Sequence, residues 1–281
     1  MTFASQCVCF FILGGCFVNG AGNAHPHRHH SQRCSYTEQA FATLERSYLA
    51  EPLTKMSEYL QAMVEVQPRG VWLQVGSNTM DPNPEAESAS FGDPLAKFLP
   101  VFTDYEKIFI EPIPDNFKHL LNNVKAIPNS VALQYAILEK PGPEVNVSMW
   151  CYPEEDWTSW RKGACSLSKD KMDAEMKSYG MERPNSIPIN VTGISLDNML
   201  QRHVPDLSEL QIVIIDVEGF DAKVVRQLPF GIAGFRPKLI VWENKWLAAD
   251  EPQDLVAMLH EHCYTVADDF ENTFAIPLLD Q

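Results

Sequence analysis

The chain has 281 residues, 45% of them hydrophobic and 21% charged, a length that forms one substantial core more economically than two small ones. Its formal net charge of -15 leaves no surplus of Lys and Arg to displace counterions, which argues against a nucleic acid as the main partner. In chain order the first feature is an apolar run, Cys7 to Val18, followed by the small residues Gly20, Ala21, Gly22 and Ala24. The run is short for a bilayer span. With its flanks it reads as a signal peptide over residues 1–24, although the segment before it carries no Lys or Arg. An uncleaved anchor or a buried strand is the alternative. The mature chain would enter the secretory pathway without a membrane span and would begin with a His-rich segment, 25–36, opening on "HPHRHH". Clustered imidazoles can hold a metal, but a terminal tract with Pro26 inside it lacks a scaffold, so no metal site is expected there.

That mature chain keeps Cys34, Cys151, Cys165 and Cys263. Four cysteines allow three connectivities; Cys151 with Cys165 is favoured because both bracket one polar stretch, "CYPEEDWTSWRKGAC". Reduced buried thiols are the other reading. Two glycosylation sequons, Asn146-Val147-Ser148 and Asn190-Val191-Thr192, fit the same oxidising compartment.

From residue 37 to 281 a single domain is the economical reading. Phe41, Leu44, Tyr48 and Leu49 stand at helical spacing, which predicts one or two helices between Thr37 and Val66. Short apolar runs then recur: "GVWLQVG", "EKIFIEP", "VALQYAILEK", "LQIVIIDVEG", "RPKLIVWEN", "CYTVADD" and "TFAIPL". Helices are expected between them at Pro94–Phe102, Asp115–Val124, Ser195–His203, Asp221–Leu228 and Pro252–His262. Such alternation predicts an α/β domain with a mostly parallel, seven-stranded sheet. The last two runs meet across "DFEN", too short for a crossover, and must form a C-terminal antiparallel hairpin. Parallel strands closed by such a hairpin are the layout of the S-adenosylmethionine methyltransferase variant of the nucleotide-binding fold. The polar stretch at about 151–188 reads as an insertion over the carboxyl edge of the sheet.

Open α/β sheets bind ligands beyond the carboxyl ends of their strands, so the residues just after each run are the candidates. They are Gly76, Ser77 and Asn78; Glu111; Ala136 and Ile137 within the third run; Asp216, Glu218 and Gly219; and Glu243 and Asn244. Gly76 is not followed by the spaced glycines of a dinucleotide fingerprint, which makes a nicotinamide oxidoreductase the weakest reading. Glu111 can accept both hydroxyl hydrogens of a ribose. Its interval from Gly76 exceeds the roughly 20 residues usual for such an acid, and the excess fits the loop "TMDPNPEAESASFGDP".

Taken in order, "VGSN", "DPLAKFL", "IFIEPIPDNFKHLLNN", "SLDNML", "IIDVEGFDAKVV" and "PKLIVWEN" resemble the successive motifs of the FkbM-type methyltransferases, S-adenosylmethionine-dependent O-methyltransferases of Rossmann-like class I fold. "EPIPDNF" and "IDVEGFD" are the specific parts, and the resemblance runs from about Val71 to Pro277. It implies that Gly76 and Asn78, with Ser77 between them, sit at the methionine end of the cofactor. Glu111 would hold the ribose and Ala136 would lie under the adenine. Asp216, also within reach of the cofactor, would line the methyl-transfer cleft with Glu218, and Glu243 would face the acceptor. Gln74 and Met80 stand where the family commonly has an acid and a second Gly, and Ile214 where a Lys is common.

Methyl transfer from a sulfonium is an in-line displacement that rests mainly on alignment and exclusion of water. A hydroxyl acceptor must also lose its proton, and Asp216, Glu218 or Glu243 can serve as the base if burial raises its pKa. The i, i+2 spacing of Asp216 and Glu218 predicts one shared strand face. The expected function is a secretory-pathway O-methyltransferase acting on a hydroxyl of a glycan or other small hydroxylated molecule. A catalytically inactive methyltransferase-like binding protein is the alternative.

Overall fold

Val71 to Val75 and Leu210 to Ile215 are buried at every position, as strands covered on both faces must be. The computed structural model describes residues 52–80, 96–153, 164–182, 184–247, 250–268 and 271–278. The signal-peptide and His-tract expectations, Cys34 and most of the loop after Met80 lie outside these residues. The elements, in chain order, are α1 (Pro52–Val66), β1 (Val71–Val75), β2 (Glu106–Ile110), α2 (Pro114–Asn123), β3 (Ser130–Leu133), β4 (Ala136–Leu138), β5 (Val145–Cys151) and β6 (Cys165–Ser166). There follow α3 (Lys169–Ser178), β7 (Ile187–Ser195), α4 (Leu196–His203), β8 (Leu210–Ile215), α5 (Asp221–Val225), β9 (Leu239–Glu243), α6 (Glu251–Glu261), β10 (Tyr264–Asp268) and β11 (Asn272–Pro277).

Seven strands form the main sheet in the order β10-β11-β9-β8-β1-β2-β3. Every neighbouring pair is parallel except those made by β11, which runs antiparallel to both β9 and β10. The expected hairpin is therefore present. Strand order reverses between β1 and β8, so the crevice beyond their carboxyl ends is the place for a ligand. Alternate residues of each central strand face opposite layers. Leu73, Val213 and Ile215 pack with Leu196 and Met199 of α4, Val224 of α5 and Leu259 of α6. Trp72, Ile212 and Ile214 pack with Leu60 of α1 and Leu120 of α2 on the other side. Each fully buried Leu, Ile or Val contributes about 1.5–3 kcal/mol. Helix starts follow local chemistry: Pro114 occupies the first turn of α2, and the Ser195 hydroxyl accepts the Asn198 N–H at 3.4 Å to cap α4.

The structure departs from the sequence expectation in four places. "VALQYAILEK" is not one strand, because the half-exposed edge strand β3 ends at Leu133 and Ala136 begins β4 in a second sheet. That sheet has the order β4-β7-β5-β6, with Ala136 in register with Gly193. The insertion is thus larger than 151–188: its ladder of β5 on β7 starts at Val145 and reaches Gly193. The helix expected at Pro94–Phe102 is a 3-10 turn, Ala96–Val101, with Pro100 inside it, and the one expected at Asp221–Leu228 ends at Val225. Cys151 and Cys165 lie opposite each other on β5 and β6 and are joined, as expected, by a disulfide. Cys263 is disulfide-bonded as well. Both sequon asparagines, Asn146 and Asn190, are exposed on the β5–β7 ladder. No described helix is long and apolar enough to cross a membrane.

Candidate active site

The turn after β1 is built around close approach of two strand exits. Gly76 has φ 82°, and a Cβ there would fall 1.7 Å from the carbonyl oxygen of Asp216. The N–H groups of Gly76 and Ser77 both donate to the Ile110 carbonyl at 2.9 Å, and the Asp216 N–H donates to that of Val75 at 2.9 Å. Ser77 is turned inward. Its hydroxyl accepts the Ile110 N–H at 3.0 Å and donates to the Gln74 carbonyl at 3.1 Å, so it holds the turn together and does not present itself to a ligand. Asn78, at φ 48°, donates its N–H to Glu111 Oε2 at 2.9 Å, and Glu111 Oε1 accepts the Ile113 N–H at 2.9 Å. Glu111 is 4% exposed, and burial pushes its carboxyl up to about 7 against the pull of these donors. The structure thus brings Gly76, Asn78, Glu111 and Asp216 together. It also gives Glu111 a task the sequence did not show, joining the exit of β1 to the start of α2.

Beside this turn lies a small cavity lined by Val75, Gly76, Pro112, Tyr135, Ala136, Ile137, Met149, Leu167, Val217 and Phe220. Ala136 reaches it from β4 of the second sheet, not from a third strand of the main one. Its walls are apolar and suit a flat base. The backbone cradle at Gly76, the acid at the end of β2 and this cavity fit S-adenosylmethionine. Among the described residues no cluster of His, Cys, Asp and Glu could hold a metal ion.

The exits of β8 and β9 gather carboxylates. β8 ends at Ile215 and Glu218 has φ 53°, so the strand alternation expected to put Asp216 and Glu218 on one face does not apply; they lie on a tight turn. Asp221 closes that turn. Fully buried, it accepts the N–H groups of Gly219 at 2.8 Å and Val217 at 3.2 Å, the role of a helix-terminal acid. Burial pushes its carboxyl up to about 7, helped by Asp216. Asp216 is exposed to solvent, and the protein atoms that crowd it raise its carboxyl to about 6, Glu271 adding and Lys245 opposing. Glu218 is raised by burial and then by Asp216 and Glu243. Glu243 goes up to about 9, again first by burial and then by Asp216 and Asp221, and its Oε2 is buried without a hydrogen-bond partner. Asn244 is tied into the hairpin: its Nδ2 donates to Thr273 Oγ1 at 3.1 Å. Gln74 is buried in β1, and Met80 and Ile214 pack in the core. Lys171, from α3, was missed by the sequence reading; its ammonium donates to the Trp246 carbonyl at 2.9 Å beside this cluster.

An apolar cavity that reaches the turn after β8 at Val217 and Phe220, with raised carboxyls on that same turn and on the exit of β9, suits binding a nucleoside and moving a proton. The family model described as Methyltransferase FkbM domain matches residues 75–266. The chain belongs to the FkbM methyltransferase family. It is accordingly an S-adenosylmethionine-dependent methyltransferase of Rossmann-like class I fold, as the strand order independently indicates. No curated protein matches this FkbM chain. Among solved structures it is similar to a precorrin-6y C5,15-methyltransferase from Geobacter metallireducens GS-15, at 11% identity over 82% of this chain and 93% of that one, with a TM-score of 0.37. It is also similar to the fibrillarin pre-rRNA processing protein of Methanococcus jannaschii, at 8% identity over 74% of this chain and 66% of that one, with a TM-score of 0.33. Similarity at this level adds nothing to what the strand order says.

Proposed function

We propose that the chain is an O-methyltransferase of the secretory pathway whose acceptor is a hydroxyl of a glycan or another small hydroxylated molecule. The observation that carries the reading is Glu243 Oε2, a buried carboxylate oxygen with no partner among the described residues, beside two further acids that their surroundings raise above the ordinary carboxylate range. Held up to about 9, the Glu243 carboxyl takes a proton from an acceptor hydroxyl only in its ionised form, so transfer should quicken as pH rises toward that value. Gly76, Asn78, Glu111 and Ala136 would hold the cofactor, which supplies an electrophilic methyl group when bound. Asp216, Glu218 and Glu243 orient the acceptor and hold its proton. The Cys151–Cys165 disulfide and the exposed sequons support an oxidising compartment.

Calorimetric titration with S-adenosylmethionine and S-adenosylhomocysteine tests the reading. Both should bind. Glu111→Ala removes the acid that would hold the ribose together with its bonds to the Asn78 and Ile113 N–H groups, and should weaken binding by at least about a hundredfold. Asp216→Asn should keep most of the affinity while lowering the transfer rate. Wild-type protein that takes up neither ligand would sink the enzyme reading, and wild-type protein that binds both but transfers no methyl group would leave a binding protein.

A further inference from the structure

The inserted segment carries a cation into the cleft. Lys171 stands in the first turn of α3, where its N–H is accepted by the N-cap hydroxyl of Ser168 at 3.3 Å. Its ammonium rests on the turn after β8: Nζ lies 1.2 Å from where a Cβ on Gly219 would stand, and Gly219 itself has φ 75°. The bond to the Trp246 carbonyl holds it from the loop after β9. Asp221, Glu218, Glu243 and Glu175 all act on it electrostatically, yet among the described residues none is in ion-pair contact with it. An ammonium has three donors, and among the described residues only the Trp246 carbonyl accepts from it. Lys245, the other cation nearby, is committed to Glu271 at 3.1 Å.

Glu243 Oε2, on one of the carboxylates that act on Lys171, is buried and among the described residues accepts nothing. A donor and an acceptor thus stand unmatched, too far apart to satisfy each other and close enough to feel each other's charge. A hydroxyl is the group that closes such a gap, since it accepts from an ammonium through a lone pair and gives its hydrogen to a carboxylate. An amine acceptor in its usual protonated form has no lone pair for Lys171 and meets a like charge.

We propose that Lys171 and Glu243 form a two-point clamp for the acceptor hydroxyl, Lys171 as its positioning donor and Glu243 as its base, so that the site selects oxygen over amine acceptors. The clamp rests on the methyltransferase reading. In the step, the hydroxyl proton passes to Glu243 and an oxygen electron pair forms the bond to the methyl carbon. The carbon–sulfur bond breaks with its pair left on sulfur, releasing neutral S-adenosylhomocysteine.

Sinefungin carries an amine in place of the methylsulfonium and so places a cation where the methyl group would be transferred; S-adenosylhomocysteine places nothing there. Calorimetric affinities of both, at a pH just above 9 where most of Glu243 is ionised, give a ratio that a merely structural change does not move. Lys171→Met should shift that ratio about tenfold toward sinefungin, Glu243→Gln about tenfold away from it, and Lys171→Arg should keep it near the wild-type value. If Lys171→Met does not fold, Glu243→Gln decides alone. S-adenosylhomocysteine binding with a ratio unchanged in the folded Lys171→Met or in Glu243→Gln overturns the clamp and leaves the methyltransferase standing. Failure of wild-type protein to bind S-adenosylhomocysteine overturns both.

Discussion

A methyl group added at Gly76 would meet the Asp216 carbonyl at 1.7 Å, in a backbone conformation, φ 82°, that L side chains rarely adopt. Gly76→Ala should therefore lower stability by at least about 2 kcal/mol in urea denaturation, and a loss under about 0.5 kcal/mol would show that the turn relaxes freely. Asp221→Ala, which strands the N–H groups of Val217 and Gly219, should cost on the order of 1–3 kcal/mol by the same measurement. At this scale the sequence was partly legible. Gly76, Glu111, Asp216 and Glu243 were findable because each follows a recognisable apolar run. Ser77 was not assignable, since a hydroxyl turned inward and one turned to a ligand look alike in sequence. Lys171 was hidden because nothing about a lysine in a polar, charged stretch says that its tip lies on a glycine of another strand's turn.

The elements of the main sheet announce themselves as nearly continuous apolar runs, whereas those of the second sheet do not. In β5, Val147, Met149 and Cys151 face the small core while Asn146 and Ser148 face solvent, and in β7 Ile187, Ile189 and Val191 alternate with Pro188 and Asn190. A sheet covered on one face has period-two strands with polar gaps, and two sequons inside them disguise the pattern further. The disulfide staples β5 to β6 just before α3, so it anchors the helix that carries Lys171. Replacing both Cys151 and Cys165 with Ser opens a loop of about 15 residues, whose closure is worth roughly 3 kcal/mol in the chain-entropy model. Hydrogen exchange should then quicken in α3 and β6 with β1 and β8 unchanged; uniform protection throughout would contradict the anchoring.

For the whole molecule the raised carboxyls set the response to pH. Glu111 and Asp221 at about 7, Asp216 at about 6 and Glu243 at about 9 hold their protons more tightly in the folded chain than in the unfolded one. The stability they contribute is complete below the ordinary carboxylate range and is lost as pH rises through these values. Lys107 and Lys171, lowered by burial, work in the opposite direction in more alkaline solution. The melting temperature of the ligand-free protein should fall by several degrees between about pH 5 and about pH 9, a trend that calorimetry would reverse if these acids were ionised without cost. The side-by-side placement of β1 and β8, with Val71 in register with Leu210, bears also on how the chain is made. Everything from β2 to α4 is synthesised between those two strands, so a nascent chain that has reached Ser195 holds Gly76, Glu111 and Lys171 but no cleft. Closing so long a loop is slow compared with local pairing. At ~5–20 residues per second, on the order of ten seconds pass between synthesis of the two strands. During that interval one apolar edge of β1 has no neighbour, and shielding it is work for a chaperone.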